Sequence, residues 1–226
     1  MREVVLDTET TGLSPKDGDR LVEIAGITLN NYLPTGEIFH EYFNPQTPMP
    51  KAAEQIHGLT DEFLSSKPLF SSLAKDFLNF IGEDPLVIHN ASFDLGFINA
   101  ELVGLGMNPL PQNRAIDTLD LARKTFPGSP ASLNALCRRF EIDNSARTFH
   151  GALLDAELLA EVYLELIGGR QPDLVLETKR KEQKKEDPFQ NKQLEIHTPR
   201  PHRATEQELA AHEEFLKLLK NPIWTK

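Results

Sequence analysis

The chain has 226 residues, 39% of them hydrophobic, with one cysteine and a formal net charge of −10. That length allows one full domain and an additional segment, and that hydrophobic content excludes global disorder. One cysteine excludes an intramolecular disulfide and a cysteine-rich zinc site, and the acidic balance argues against binding nucleic acid through a broad basic face.

The chain enters a strand directly. Glu3-Val4-Val5-Leu6-Asp7 is short and apolar, with no signal-peptide core ahead of it. Residues 21–29 and 37–43 read as two more strands, joined by short turns into an antiparallel meander. Leu69, Phe70, Leu73, Phe77, Leu78 and Ile81 recur at helical spacing and predict one apolar stripe. Leu86-Val87-Ile88-His89 is a buried strand, and the helix after it carries Phe93, Phe97, Ile98, Leu102 and Leu105. A last short strand at 115–118 and helices over about 118–126, 132–140 and 151–167 follow. Cys137 falls in an apolar helical pattern and reads as a small core residue.

Three segments follow from this pattern: a domain over residues 1–170, a flexible linker over 171–203 and a terminal segment over 204–226. The linker is rich in charge and proline. Helical periodicity then returns, opening on the capping-box spacing of Thr205-Glu206-Gln207-Glu208. Strands first, then alternating helices and strands, imply an α/β class with a mixed five-stranded sheet flanked by helices. No apolar run approaches the ~20 residues a membrane helix needs, so a cytoplasmic protein without membrane contact is expected.

Asp7 and Glu9 are two apart on the first strand, so their carboxylates point to the same side. Like charges side by side repel unless a divalent cation neutralises them. A bare D-x-E is also compatible with simple exposure at a strand terminus. Asp94 follows a buried strand at a helix start, where the helix dipole alone would favour an acid. Strand ends are nonetheless where ligands gather in α/β sheets. Asp155 lies in the early turns of an apolar helix, where a carboxylate needs a partner or a metal. His150 sits just ahead of that helix and titrates in the range useful to a general base.

The ordered set Asp7-x-Glu9, His89-Asn90-x-x-Phe93-Asp94 and His150-x4-Asp155 resembles the DEDD superfamily of 3′→5′ exonucleases, in the branch with a histidine five residues before the last aspartate. More narrowly, it is similar to the epsilon proofreading family of bacterial DNA polymerase III. Val5-Leu6-Asp7-Thr8-Glu9-Thr10-Thr11-Gly12, Phe140-Glu141-Ile142-Asp143-Asn144-Ser145 and His150-Gly151-Ala152-Leu153-Leu154-Asp155-Ala156 carry this resemblance, and Ala204-Thr205-x-x-Glu208-Leu209-Ala210-Ala211-His212-Glu213 extends it to the tail.

The resemblance implies a ribonuclease H-like sheet and two-metal phosphodiester hydrolysis. Asp7, Glu9, Asp94 and Asp155 would hold two Mg²⁺, with Mn²⁺ able to substitute, and His150 would act as base. The single-stranded 3′ end of DNA would meet Asp7, Glu9, Thr10, His57 and Asp155. Gln171, Leu174 and Leu176 resemble a peptide that docks on the sliding clamp. Leu209, Phe215, Leu216, Leu219 and Trp224 would face the polymerase III catalytic (alpha) subunit, and a further small core subunit is compatible with this reading. The alternatives are a stand-alone RNA or oligonucleotide exonuclease of the same superfamily and a catalytically idle scaffold between polymerase and clamp.

Overall fold

The computed structural model describes residues 1–145, 149–168 and 204–218. Five strands form one sheet. The first, β1 (Arg2–Thr10), lies at its centre, antiparallel to β2 (Leu21–Asn30), which pairs antiparallel with β3 (Leu33–Tyr42) at one edge. On the other side β1 runs parallel to β4 (Leu86–Ile88), and β4 parallel to β5 (Ala115–Asp117). The order β3-β2-β1-β4-β5 is the mixed sheet that the strand pattern predicts.

Helices cover both faces, which is why β1 and β2 read as near-continuous buried runs rather than alternating ones. On one face Val4, Leu6, Ile24, Leu86 and Ile88 pack against α3 (Phe70–Ile81) and α4 (Ala91–Gly104). On the other, Val5, Ala25, Ile27 and Val87 pack against α5 (Thr118–Thr125), α6 (Leu133–Phe140) and α7 (Ala152–Leu166). Cys137 is buried in this second layer, as its helical pattern predicts. Between β3 and α3 stand two short helices absent from the sequence reading, α1 (Lys51–His57) and α2 (Asp61–Ser65). Ala53 and Leu64 seat them against Val22 and Met49.

The 204–218 segment forms α8 (Glu206–Leu218). Its predicted capping box is made: the Glu208 amide donates to the Thr205 hydroxyl at 3.3 Å, and the Thr205 amide donates back to the Glu208 carboxylate at 2.7 Å. Leu209 and Phe215 are exposed and Leu216 is partly so. Gln171, Leu174, Leu176, Leu219 and Trp224 lie outside the described residues. No helix among the described residues is long and apolar enough to cross a membrane.

One close approach fixes the α3 layer. A Cβ at Gly26, mid-strand in β2, would stand 2.7 Å from the Phe80 ring and 3.1 Å from the Leu6 side chain. That ring is held by Phe39 at 5.6 Å and by the Arg2 guanidinium at 5.9 Å. Gly26→Ala is therefore expected to destabilise the domain by about 1–3 kcal/mol through overpacking, although alanine is the better strand former. Urea unfolding monitored by circular dichroism measures this, and a midpoint equal to wild type would refute it.

Candidate active site

β1 delivers Asp7 and Glu9 to one side of its C-terminal end, the side covered by α7. The register of β1 on β2 slips between Glu9 and Thr10, and this irregularity ends the regular pairing where the acidic side chains emerge. Thr8 points the other way, toward α4. Its hydroxyl donates to Asp94 Oδ1 at 2.7 Å and fixes that carboxylate against the strand end.

Asp94 stands in the first turn of α4, directly after β4. The sharp entry is made by Asn90 in the left-handed region (φ 65°), a conformation asparagine tolerates better than most residues. Asp117, at the end of the neighbouring strand, accepts the amides of Asn90 and Ala91, each at 3.0 Å. The same carboxylate caps α5 through the Leu119 amide at 2.9 Å. One side chain thus ties together the starts of two helices.

Asp155 lies one turn into α7 and is 3% exposed. His150 precedes α7 and is half exposed, with Nδ1 3.6 Å from Asp155 Oδ2. Ligating atoms of Glu9, His150 and Asp155 all fall within 4.8 Å of one another. With Asp7 and Asp94 they line a cleft of about 290 Å³, whose other walls include Phe93, His89 and Asn134. The five residues singled out from sequence as catalytic therefore meet in one cleft, drawn from β1, α4 and the entry of α7.

Electrostatics make this cluster costly without a counter-charge. Burial holds Asp7 well above the ordinary carboxylate range, and the charges of Asp94, Glu9, Asp155 and Glu23 add to the shift. Burial also pushes Asp94 up to about 7, even though the Thr8 hydroxyl pulls it down. Oxygen donors converging around one imidazole form a set suited to hard divalent cations.

Beside the cleft, sharing Glu9 and Phe93 with it, opens an apolar pocket of about 500 Å³. Thr10 and His57 both line it. The Thr10 hydroxyl donates to the Gly12 carbonyl at 2.6 Å, so the side chain serves the turn. His57 is buried at the end of α1, where its Nδ1 accepts the Leu59 amide at 3.0 Å. Burial lowers its pKa, with the Thr10 backbone as the largest opposing influence, and the ring is neutral near pH 7.

Sequence reasoning passed over Thr8, Asp117 and Glu23. Glu23 is opposite Glu9 in the β1–β2 register and only 2% exposed. His40 Nε2 lies 2.7 Å from its carboxylate, and Tyr42 also hydrogen-bonds it; burial and this acid push the Tyr42 phenol up to about 12. A charged residue inside the apolar run Leu21-Val22-Glu23-Ile24-Ala25 was the available signal.

The exonuclease family model matches residues 4–163. A DNA polymerase III subunit epsilon from Rickettsia felis is 55% identical over 174 residues, covering 76% of each chain. The protein of the same description from Salmonella typhimurium is 44% identical over 227 residues, covering 96% of this chain and 93% of its own. Among solved structures, an exonuclease X in complex with 5′ overhanging duplex DNA superposes with a TM-score of 0.57 at 24% identity, covering 73% of this chain and 90% of that one; this likeness speaks to the fold. The fold that gathers the acidic cleft and the similarity that extends into the tail agree: the chain belongs to the exonuclease family and, within it, to the DNA polymerase III epsilon subunits.

Proposed function

We propose that this chain is the proofreading 3′→5′ exonuclease of a bacterial replicative DNA polymerase, removing mispaired 3′-terminal nucleotides as 5′-monophosphates. The convergence of Asp7, Glu9, Asp94 and Asp155 around His150 carries this reading. Membership of the epsilon subunits supplies the biological setting.

The donor set fits divalent metal: Glu9, Asp94 and Asp155 are buried, Asp7 feels their repulsion, and every carboxylate offers hard oxygen donors. Asp7, Glu9, Asp94 and Asp155 would hold two Mg²⁺, or Mn²⁺ in their place. Bound there, the ions supply the positive charge that offsets both the carboxylates and the scissile phosphate and makes water more acidic. His150 takes a proton from the attacking water. Its Nδ1 lies 3.6 Å from Asp155 Oδ2, and that carboxylate steadies the imidazolium that forms. Asp155 thereby both holds charge and orients the base.

The neighbouring pocket suits the terminal nucleoside. Leu13, Pro50, Ala53, Ile56 and Phe93 offer apolar walls against which an unpaired base can stack, and Thr10 and His57 also line the pocket. A mispaired end frays more easily than a paired one, so a single-strand seat favours errors without reading the base.

The tail serves assembly. Gln171, Leu174 and Leu176 form a clamp-binding peptide, and α8 with Leu209, Phe215, Leu216, Leu219 and Trp224 binds the polymerase catalytic subunit. Exposed Leu209 and Phe215 on a 13-residue helix support this, because so short a helix is marginal in water without a partner. Tethering raises the local concentration of the nuclease at primer ends and compensates for an acidic surface that gathers DNA poorly.

On a 3′-mispaired primer with Mg²⁺, wild type is expected to release nucleotides stepwise, Asp7→Ala to release none, and His150→Ala to be slower by about 10²–10⁴-fold. Hydrolysis unaffected by Asp7→Ala would dismiss this site. Deleting residues 204–226 should abolish co-purification with the polymerase subunit while leaving nucleotide release from free primer within about twofold of the full chain.

Stability of the metal-free protein should depend on pH in a defined direction. Asp7 and Asp94 hold their protons more tightly folded than unfolded. Their destabilising contribution is therefore absent below the ordinary value of 3.8 and grows as pH rises toward about 7. Thermal unfolding in EDTA should show Tm falling over that window by more in wild type than in Asp7→Asn, and Mg²⁺ should raise Tm more at pH 8 than at pH 5. Equal pH slopes in the two proteins would refute the electrostatic account.

A further inference from the structure

His150 is the one member of the catalytic set that stands on neither a strand nor a helix. Its side-chain contact with Asp155, at 3.6 Å, is long for a hydrogen bond, and its ring is half exposed. Its backbone is also held from a second element. The His150 amide donates to the Ile56 carbonyl at 2.9 Å, a bond reaching from the entry of α7 to the last turn of α1.

Next to that bond the Phe149 ring lies over Gly58, where a Cβ would meet ring carbons at 3.3–3.5 Å. Gly58 ends α1 in the left-handed conformation (φ 73°), and its amide closes the helix on Glu54 at 2.7 Å. A bare α-carbon there serves two purposes: it ends the helix and it leaves room for the ring.

The same helical turn also lines the apolar pocket, through Ile56 and His57. One rigid turn thus touches the proposed nucleoside seat with its side chains and carries the base-bearing segment on its carbonyl.

Resting on the proofreading reading, we infer that the Ile56–Gly58 turn positions the general base: Phe149 and Gly58 are positioning residues that hold His150 at the carboxylates, and a nucleoside pressed against Ile56 reinforces that placement. The segment gains its geometry from α1 and not from Asp155 alone. A misplacement of the imidazole of about 1 Å is enough to cost one to two orders of magnitude in rate.

A double-mutant cycle on the full chain tests this. Phe149→Ala should lower kcat on 3′-mispaired primer by about tenfold with KM within about twofold. Phe149→Tyr, which keeps the ring, should restore kcat. In a His150→Ala background Phe149→Ala should have no further effect, because the ring acts only through the imidazole. Phe149 is 54% exposed, so Tm should stay close to wild type. Gly58→Ala, which crowds the same ring, should show the same dependence on His150.

A wild type that does not cleave would overturn the proofreading reading and this inference together. A wild type that cleaves through His150, with Phe149→Ala at full kcat or with additive losses in the cycle, would overturn this inference alone.

Discussion

The burial of acidic groups side by side is the constraint around which this molecule is organised. Glu9, Asp94 and Asp155 are buried around a cleft that Asp7 also lines, and Glu23 is buried opposite Glu9. In such surroundings each negative charge raises the cost of the next. Left to themselves the strands and helices bearing these groups would gain stability by separating. The arrangement persists because the apolar sheet and its two helical layers over-determine the backbone, so the repulsion is imposed from outside the cleft.

The supports are specific. The Thr8 hydroxyl steadies Asp94, and Asp117 locks the entry of the helix that bears it. His40 and Tyr42 absorb the charge of Glu23, which would otherwise face Glu9 across the β1–β2 ladder without compensation. These residues touch no reacting atom in the proposed chemistry, and their role is to keep the acidic groups close when electrostatics would part them. Hydrogen bonds to charged groups are among the stronger ones, which suits that role.

Much of this was legible in the sequence for physical reasons. β1, β2 and β4 are buried on both faces and so appear as unbroken apolar runs, while α3 shows its stripe because one side alone is buried. The chemical residues were legible as an ordered set, although no single piece was distinctive. α1 and α2 were not legible: with 7 and 5 residues they are too short to show a period, and Ala53, His57 and Leu64 are their only buried positions. Glu23 was missed because its neighbour Glu9 is supplied by strand register, which adjacent residues do not encode. The contact between the Ile56 turn and His150 joins positions 94 residues apart, and no local pattern announces it.

The order of the site along the chain has a consequence for synthesis. β1 brings the first two carboxylates within the first nine residues, whereas the last carboxylate arrives on α7, which closes over β1 and β2. A nascent chain emerging from the ribosome therefore carries an incomplete cluster until nearly the whole domain has been translated. In the proposed chemistry, activity and a finished core appear together, and a prematurely terminated product lacking α7 would have neither.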